Sequence, residues 1–591
     1  LFWKTVLSRI PEAEHLRDID FHSKGVTDEL LEILTGTGKA FNLSTKFWAE
    51  HMGLPYHQAS IRKREFGKGR QPTVAFQPAS DATGTGHHET GVRGMEITHK
   101  RSFTRYGYAD FLRDDRPYAI VHRVWPGTQR ILTWGDPHMA AGIGRAAGFC
   151  GSAGFEWFEP LSFKGKKGSG VPGGRELYEP EALRLGTRDW TKFRYTYRLW
   201  GRLAYNPEAN PESWRRWLRA TYGNAAAAVE QALGSASRVL PFVLLTHAPS
   251  VANNVYWPEM YTNIPLVRGS DTVENPYARE GWSANADFDM EPPYNFGNTS
   301  PLDPVLVYKV NEFAEDVLQG RRTGRLSPME IAERMDALAD EAERALAEAE
   351  SNVPDTTDPD FRRLAADVRI QAGTGRFFAR KFRAALAYCL YEKNGSGTLL
   401  AEAASLYRSA RDAWTGVVEA SESVYKNDIT FGYPPYTRGH WADRIADIDA
   451  DLAAVEALAA QHPAGEGDTR TLADWLAPLT RGPRPELQHL LLAGYVKGQP
   501  VEIQADIAEG DSTRQVWLHY RHVDQSDLYR TVKMTKAGTS YTATIVGEYT
   551  DSPYPLQYFF EIRTEAGDAW MVPGYAQDLS NQPYYVIQAE K

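Results

Sequence analysis

Tyr118-Ala119-Ile120-Val121-His122-Arg123-Val124-Trp125, closed by Pro126-Gly127, is followed at once by Arg130-Ile131-Leu132-Thr133-Trp134, closed by Gly135-Asp136-Pro137. Each is a short run rich in β-branched and aromatic residues that ends in a turn pair, and each predicts a strand. The same pattern recurs on either side. Asp18-Ile19-Asp20-Phe21-His22 precedes a helical stretch around Asp28 to Leu34, and Phe41 to Trp48 ends in Glu50 and His51. Gly154 to Phe158 ends in Glu159-Pro160, and Tyr195 to Tyr205 reads as a last strand before Asn210-Pro211 opens a Trp-rich helix. Strands alternating with helices over about residues 10 to 300 predict βα units and, at this length, a (β/α)8-type TIM barrel. About six strands are legible where the barrel needs eight, and the others are sought near Ile97 or upstream of Leu1.

The remainder of the 591 residues changes character twice. From Pro304 the text is dominated by Ala, Glu, Arg and Leu at helical spacing, and Ser327-Pro328-Met329-Glu330 is a capping box with Pro at the first helical position. This predicts an α-helical bundle. From about Leu487 the pattern turns to period-two alternation, as in Val516 to Tyr520, Tyr541 to Ile545 and Leu556 to Ile562, which predicts an immunoglobulin-like β-sandwich. The expected domains are a barrel over 1–303, helices over 304–480 and a sandwich over 481–591.

Composition narrows the function. A net charge of −10 argues against nucleic acid, which needs a basic face. No apolar run is long enough to cross a membrane as a helix. Cys150 and Cys389 are the only cysteines, too few for a disulfide framework or a thiolate metal site. His87-His88-Glu89, in a Gly-rich stretch from Phe66 to Arg93, is more simply a solvated loop, so no metal and no cofactor are expected. The chain opens at Leu1 without Met or a basic-then-apolar leader, and the expectation is an exported protein, secreted or periplasmic, whose signal has been removed. A homodimer is left open.

In a (β/α) barrel, chemistry gathers at the C-terminal ends of the strands. Those ends carry Asp20, His22 and Lys24; Lys46, Trp48, Glu50 and His51; Arg123 and Trp125; Trp134, Asp136 and His138; Glu156, Trp157 and Glu159; and Trp200 and Arg202. Carboxylates interleaved with tryptophans suit a saccharide, because glycosidic cleavage needs two carboxyl groups and aromatic rings cover the apolar faces of sugars. Asp136, Glu156 and Glu159 are the catalytic candidates, with Asp20 and Glu50 in reserve. Glu156 and Glu159 are three apart, so a regular strand would point them to opposite faces. Lys24, Lys46, Arg123 and Arg202 are expected to bind an acidic group, and Trp48, Trp125, Trp134, Glu50, His51 and His138 to line the sugar site. Each of these carboxylates has an equally simple structural reading, as the partner of Arg123, Arg145 or Arg202 in an ion pair. Gly142-Ile143-Gly144-Arg145 completes no nucleotide fingerprint, and no G-x-S-x-G elbow is present.

Tyr197-Arg198-Leu199-Trp200-Gly201-Arg202-Leu203-Ala204-Tyr205-Asn206-Pro207 resembles the Gly-Arg-Leu-Ala-Trp-Asn-Pro stretch that ends the barrel in xylan α-glucuronidases. Those enzymes belong to a wider group of exo-acting barrel glycosidases that includes the β-hexosaminidases. The resemblance implies inverting release of a terminal glucuronic acid without a cofactor, and puts Asp136 roughly where that family has a base carboxylate. No general-acid motif of the family is found, and the sandwich and the Gly-rich insertion depart from it. The expected function is an exo-acting glycoside hydrolase on a plant or algal polysaccharide that releases an acidic sugar. The alternatives are a non-catalytic glycan-binding protein and a polysaccharide lyase using His22, His51 or His138 as base.

Overall fold

The computed structural model describes residues 19–22, 28–46, 54–56, 116–124, 131–150, 152–157, 176–250, 256, 258–267, 293–430, 438–465, 467–507, 515–523, 527–564 and 567–590. Its first region holds four parallel strands in the order β1 (Ile19–His22), β2 (Phe41–Lys46), β3 (Ala119–Val124) and β4 (Ser152–Trp157). Helix α1 (Asp28–Thr35) connects β1 to β2, and α2 (Pro137–Cys150) leads into β4. Parallel neighbours need such crossovers, and sequential strands lying side by side is the arrangement of repeated βα units. Phe41 and Leu43 alternate with Asn42 and Ser44 along β2, Ile120 and Val124 lie on the buried side of β3, and all four are buried with Leu34 of α1, so one face of the sheet packs against helices. Among the described residues the sheet has these four strands and does not close on itself.

Two expected strands take other forms. Arg194–Leu203 is a helix, α3, because Tyr195, Leu199, Trp200 and Leu203 recur at helical spacing and all are buried. The aromatic content suggested β structure, and the periodicity decided otherwise. The stretch that carries the likeness to xylan α-glucuronidases therefore does not end a strand here. Ile131 to Trp134 forms no strand and pairs with none among the described residues. Glu212–Tyr222 forms the Trp-rich helix, α4, and Ala226–Thr246 forms α5, which is buried over most of its length.

The helical region follows as α6 (Val310–Leu318), α7 (Pro328–Asn352), α8 (Pro359–Asn394) and α9 (Gly397–Glu422). A short hairpin of β5 (Ile429–Thr430) and β6 (Arg438–Gly439) interrupts it before α10 (Ile445–Gln461) and α11 (Leu472–Leu476). The capping box at Ser327 forms as its sequence predicts: Ser327 Oγ accepts from the Glu330 N–H, and Glu330 accepts from the Ser327 N–H at 2.9 Å. No apolar boundary separates this region from the first, since one continuous core runs from Leu34 through Leu479 and takes in Phe559, Met571, Leu579 and Tyr584 of the last region.

The last region has two antiparallel sheets. One runs β10 (Arg530–Lys533), β9 (Gln515–His522), β13 (Leu556–Arg563) and β14 (Ala569–Val572), with β15 (Tyr585–Ile587) also on β13. The other runs β11 (Thr535–Ala537), β12 (Ser540–Ile545), β8 (Val501–Ile507) and β7 (Leu487–Gln488). Their inward residues, among them Ile503, Leu518, Tyr541 and Phe560, share a second core. The Tyr584 hydroxyl donates to the Tyr56 carbonyl at 2.7 Å, which ties the end of the chain back to its first region.

Candidate functional site

The parallel register sets Lys46, Arg123 and Glu156 in one row, Lys46 opposite Arg123 and Arg123 opposite Glu156, at the C-terminal ends of β2, β3 and β4. The three come from separate stretches of sequence, and only the strand pairing aligns them. Arg123 Nε donates to Glu156 Oε2 at 2.7 Å, and the buried Ser44 hydroxyl donates to the same oxygen at 3.0 Å. Glu156 Oε1 takes no hydrogen bond from the described residues, and the side chain is half exposed. A carboxylate oriented by two donors on one oxygen presents the other oxygen as an acceptor, in the manner of a base or nucleophile. The opposite face of β3 carries His122, fully buried, whose pKa is pushed down to about 3 by burial, with Arg116 adding to the effect; the imidazole is neutral at ordinary pH. Ser44 was missed as a site residue. Its signal was the polar alternation of Asn42, Ser44 and Lys46 along β2.

Asp136 lies elsewhere. It precedes α2 and caps it, accepting from the His138 N–H at 3.0 Å, with Pro137 in the first helical position. Its two oxygens take a bidentate grip from Arg238 of α5 at 2.6 and 3.1 Å, and the carboxylate is fully buried. Trp134 is also buried, its ring 5.1 Å from that of Trp200, so it presents no face to a ligand and corrects the expectation of a sugar-stacking role. His138 is exposed, with its Nδ1 3.6 Å from Asp578, and Arg202 lies on an exposed turn of α3. Neither joins the strand-end row. Lys24, Trp48, Glu50, His51, Trp125, Glu159 and the His87-His88-Glu89 cluster lie outside the described residues, and no group of three His, Cys, Asp or Glu among the described residues is placed to hold a metal.

The segment between β3 and α2 is held by side chains of the later helices. Glu259 accepts from the N–H groups of Ile131 and Leu132 at 2.9 and 2.6 Å, and Asp367 of α8 accepts from the Thr133 N–H and hydroxyl at 2.8 Å each. Ser237 accepts from the Gly135 N–H at 2.9 Å, and Thr196 donates to the Trp134 carbonyl at 2.5 Å. Asp367 also pairs with Lys192 at 2.9 Å and accepts from the Tyr425 hydroxyl, with both charges out of water. Burial lowers the Lys192 pKa, and Asp367 partly opposes that. Trp441, in the short turn after β6, donates to the Glu259 carbonyl at 2.8 Å.

Deeper in the helices, Lys381 donates to Asn263 and to the Tyr407 hydroxyl at 3.0 Å, and lies 3.8 Å from Asp451 among the rings of Tyr261, Phe296 and Phe377. Burial pushes its pKa down to about 7, with Asp451 opposing. Nothing in the Ala- and Arg-rich text of α8 marked Asp367 or Lys381 as different from its charged residues that reach water, such as Arg362 and Arg369.

With this geometry in place, the fold can be compared with known ones. It resembles that of a GH138 enzyme targeting pectin rhamnogalacturonan II. The superposition has a TM-score of 0.52 at 12% sequence identity and covers 77% of this chain and 57% of the other, so this chain spans little more than half of that structure. No family model matches the sequence, and no curated protein matches it.

Proposed function

We propose that this chain is a glycoside hydrolase acting on a plant polysaccharide, with its four parallel strands belonging to a (β/α)8-type barrel and Glu156 as the base or nucleophile. The observation that carries this is the Lys46–Arg123–Glu156 row at the C-terminal strand ends, which is the face where barrel enzymes do their chemistry. The likeness in fold to an enzyme acting on a pectic polysaccharide supports it. Arg123 and Ser44 fix the Glu156 carboxylate, leaving Oε1 to attack the anomeric carbon or to take a proton from water. A second carboxylic acid then protonates the leaving oxygen, and Glu159, Asp20 and Asp136 are the candidates. Asp136 would first have to part from Arg238, which makes it the weakest of the three. Lys46 and Arg123 favour a sugar carrying a carboxylate, and the proposal is completed by exo-action that releases this acidic sugar outside the cytoplasm. The two C-terminal sheets accompany the site as an immunoglobulin-like support.

The test is a release assay on pectic, other acidic and neutral glycans with wild type, Glu156→Gln, Glu159→Gln, Asp20→Asn and Asp136→Asn. Glu156→Gln is expected to lower release by about 10²–10⁴-fold, as removal of a general acid or base does. Release that survives Glu156→Gln undiminished, or no release from any glycan, overturns the proposal; binding without release points instead to a glycan-binding protein. Unsaturated products absorbing in the ultraviolet would identify a lyase.

A further inference from the structure

A cavity of 690 Å³ opens between α4, α5, the start of α2 and the loop that contains Asp578. It is polar, and its hydrogen-bonding groups are unevenly used. The two carboxylates that line it already accept bonds from the protein. Glu230 Oε1 accepts from the Trp214 indole and Oε2 from Arg215 Nε, each at 2.8 Å. Asp578 accepts from the Ser580 N–H at 3.1 Å and from its hydroxyl at 2.9 Å.

The donors are not used up in this way. Arg215 engages only Nε, so both its Nη groups lack a partner among the described residues, and the side chain is half exposed. Arg238 turns Nε and Nη2 to Asp136 and leaves Nη1 without one. Asn224 lines the same space with its amide unengaged, and the exposed His138 ring stands at the rim. Arg219 also lines the cavity, but Glu212 holds both its Nη groups, so the open guanidinium donors are those of Arg215 and Arg238. A site with occupied acceptors and open guanidinium donors favours a ligand that brings acceptors of its own, above all a carboxylate. The volume lies within the usual range for small-molecule pockets, about 300–1,000 Å³.

We propose that this cavity binds a small carboxylate ligand the size of a sugar acid, at a place distinct from the Glu156 row. Arg215 and Arg238 take the carboxylate, and Asn224 takes a neighbouring hydroxyl. The proposal stands on the cavity's own donors and does not require the chain to be a glycosidase.

Calorimetric titration of the full chain with glucuronate, and separately with glucose, tests it. Glucuronate is expected to bind and glucose to give no heat. Arg215→Gln and Asn224→Leu, both at exposed positions and each checked for an unchanged melting temperature, are expected to weaken glucuronate at least tenfold. Glu156→Gln is expected to leave that affinity unchanged. Equal binding of glucose, no binding of glucuronate, or an affinity that follows Glu156→Gln and ignores Arg215→Gln overturns the proposal. The last outcome would place the acid at the strand ends instead.

Discussion

Replacing Asp367 with Asn keeps the side chain's shape and removes the carboxylate that Lys192 meets at 2.9 Å. Both groups are out of water, so the ammonium would be left buried without its partner. Breaking a buried pair from one side costs about 3–5 kcal/mol. Taken as one cooperative unit, the first two regions, about 450 residues on a shared core, have an unfolding entropy of roughly 0.9 kcal/mol/K. The melting temperature should therefore fall by about 3–5 °C. Lys192 has a lowered pKa in the fold, and losing Asp367 lowers it further. The folded variant then holds fewer protons than the unfolded chain, so its stability rises with pH toward the ordinary lysine pKa of about 10, and its deficit shrinks from pH 7 to 9. The double variant Asp367→Asn/Lys192→Met, which removes both charges and keeps an acceptor for Thr133 and Tyr425, should recover most of the loss. Calorimetric melting of the three proteins at pH 7 and 9 is the assay. A single variant that melts with wild type, or a double variant that melts no higher than Asp367→Asn alone, refutes the reasoning.

Lys381 predicts a pH response of its own. With its pKa near 7 in the fold against about 10.4 when unfolded, its contribution to stability rises as pH climbs from about 7 to 10 and is lost as pH falls through 7. Asp451 faces the ammonium and His247 lies close by, so Lys381→Met should flatten the melting temperature over that range, and an unchanged slope would exclude the assignment. In α2, a Cβ at Gly144 would run into the Leu203 carbonyl oxygen. Gly144→Ala is expected to cost about 1–3 kcal/mol in denaturant melts, while alanine at the open Gly148 should not destabilise.

The sequence made the parallel strands legible because each carries its own apolar run and polar tip. It could not show which tips line up, since that depends on register between segments as far apart as Lys46 and Glu156. The strand ends chosen for their chemistry therefore divide into a row that assembles, Lys46, Arg123 and Glu156, and residues drawn into other work, such as Asp136 on Arg238 and Trp134 on Trp200. Asp136-Pro137 did carry the signature of a helix start, and that local signal outweighed the catalytic one. Tyr195 to Tyr205 misled for the opposite reason, since aromatic content spoke for a strand and only the spacing of Tyr195, Leu199 and Leu203 spoke for a helix. Gly142 and Gly144, which looked like half of a nucleotide loop, lie inside α2, where Pro55 and Leu203 press against them.

The described stretch before α2 joins no sheet, yet its N–H groups from Ile131 to Thr133 are taken by Glu259 and Asp367. Side chains from later in the chain, Glu259 of the first region and Asp367 of the helical one, thus serve as a surrogate strand, supplying what a neighbouring backbone would. A cut at 303/304 would strip away Asp367 and leave the Thr133 N–H and hydroxyl in the interior without an acceptor, so the first two regions cannot be exchanged among homologues as separate modules. Any recombination that respects this fold has to carry Thr133 and Asp367 together.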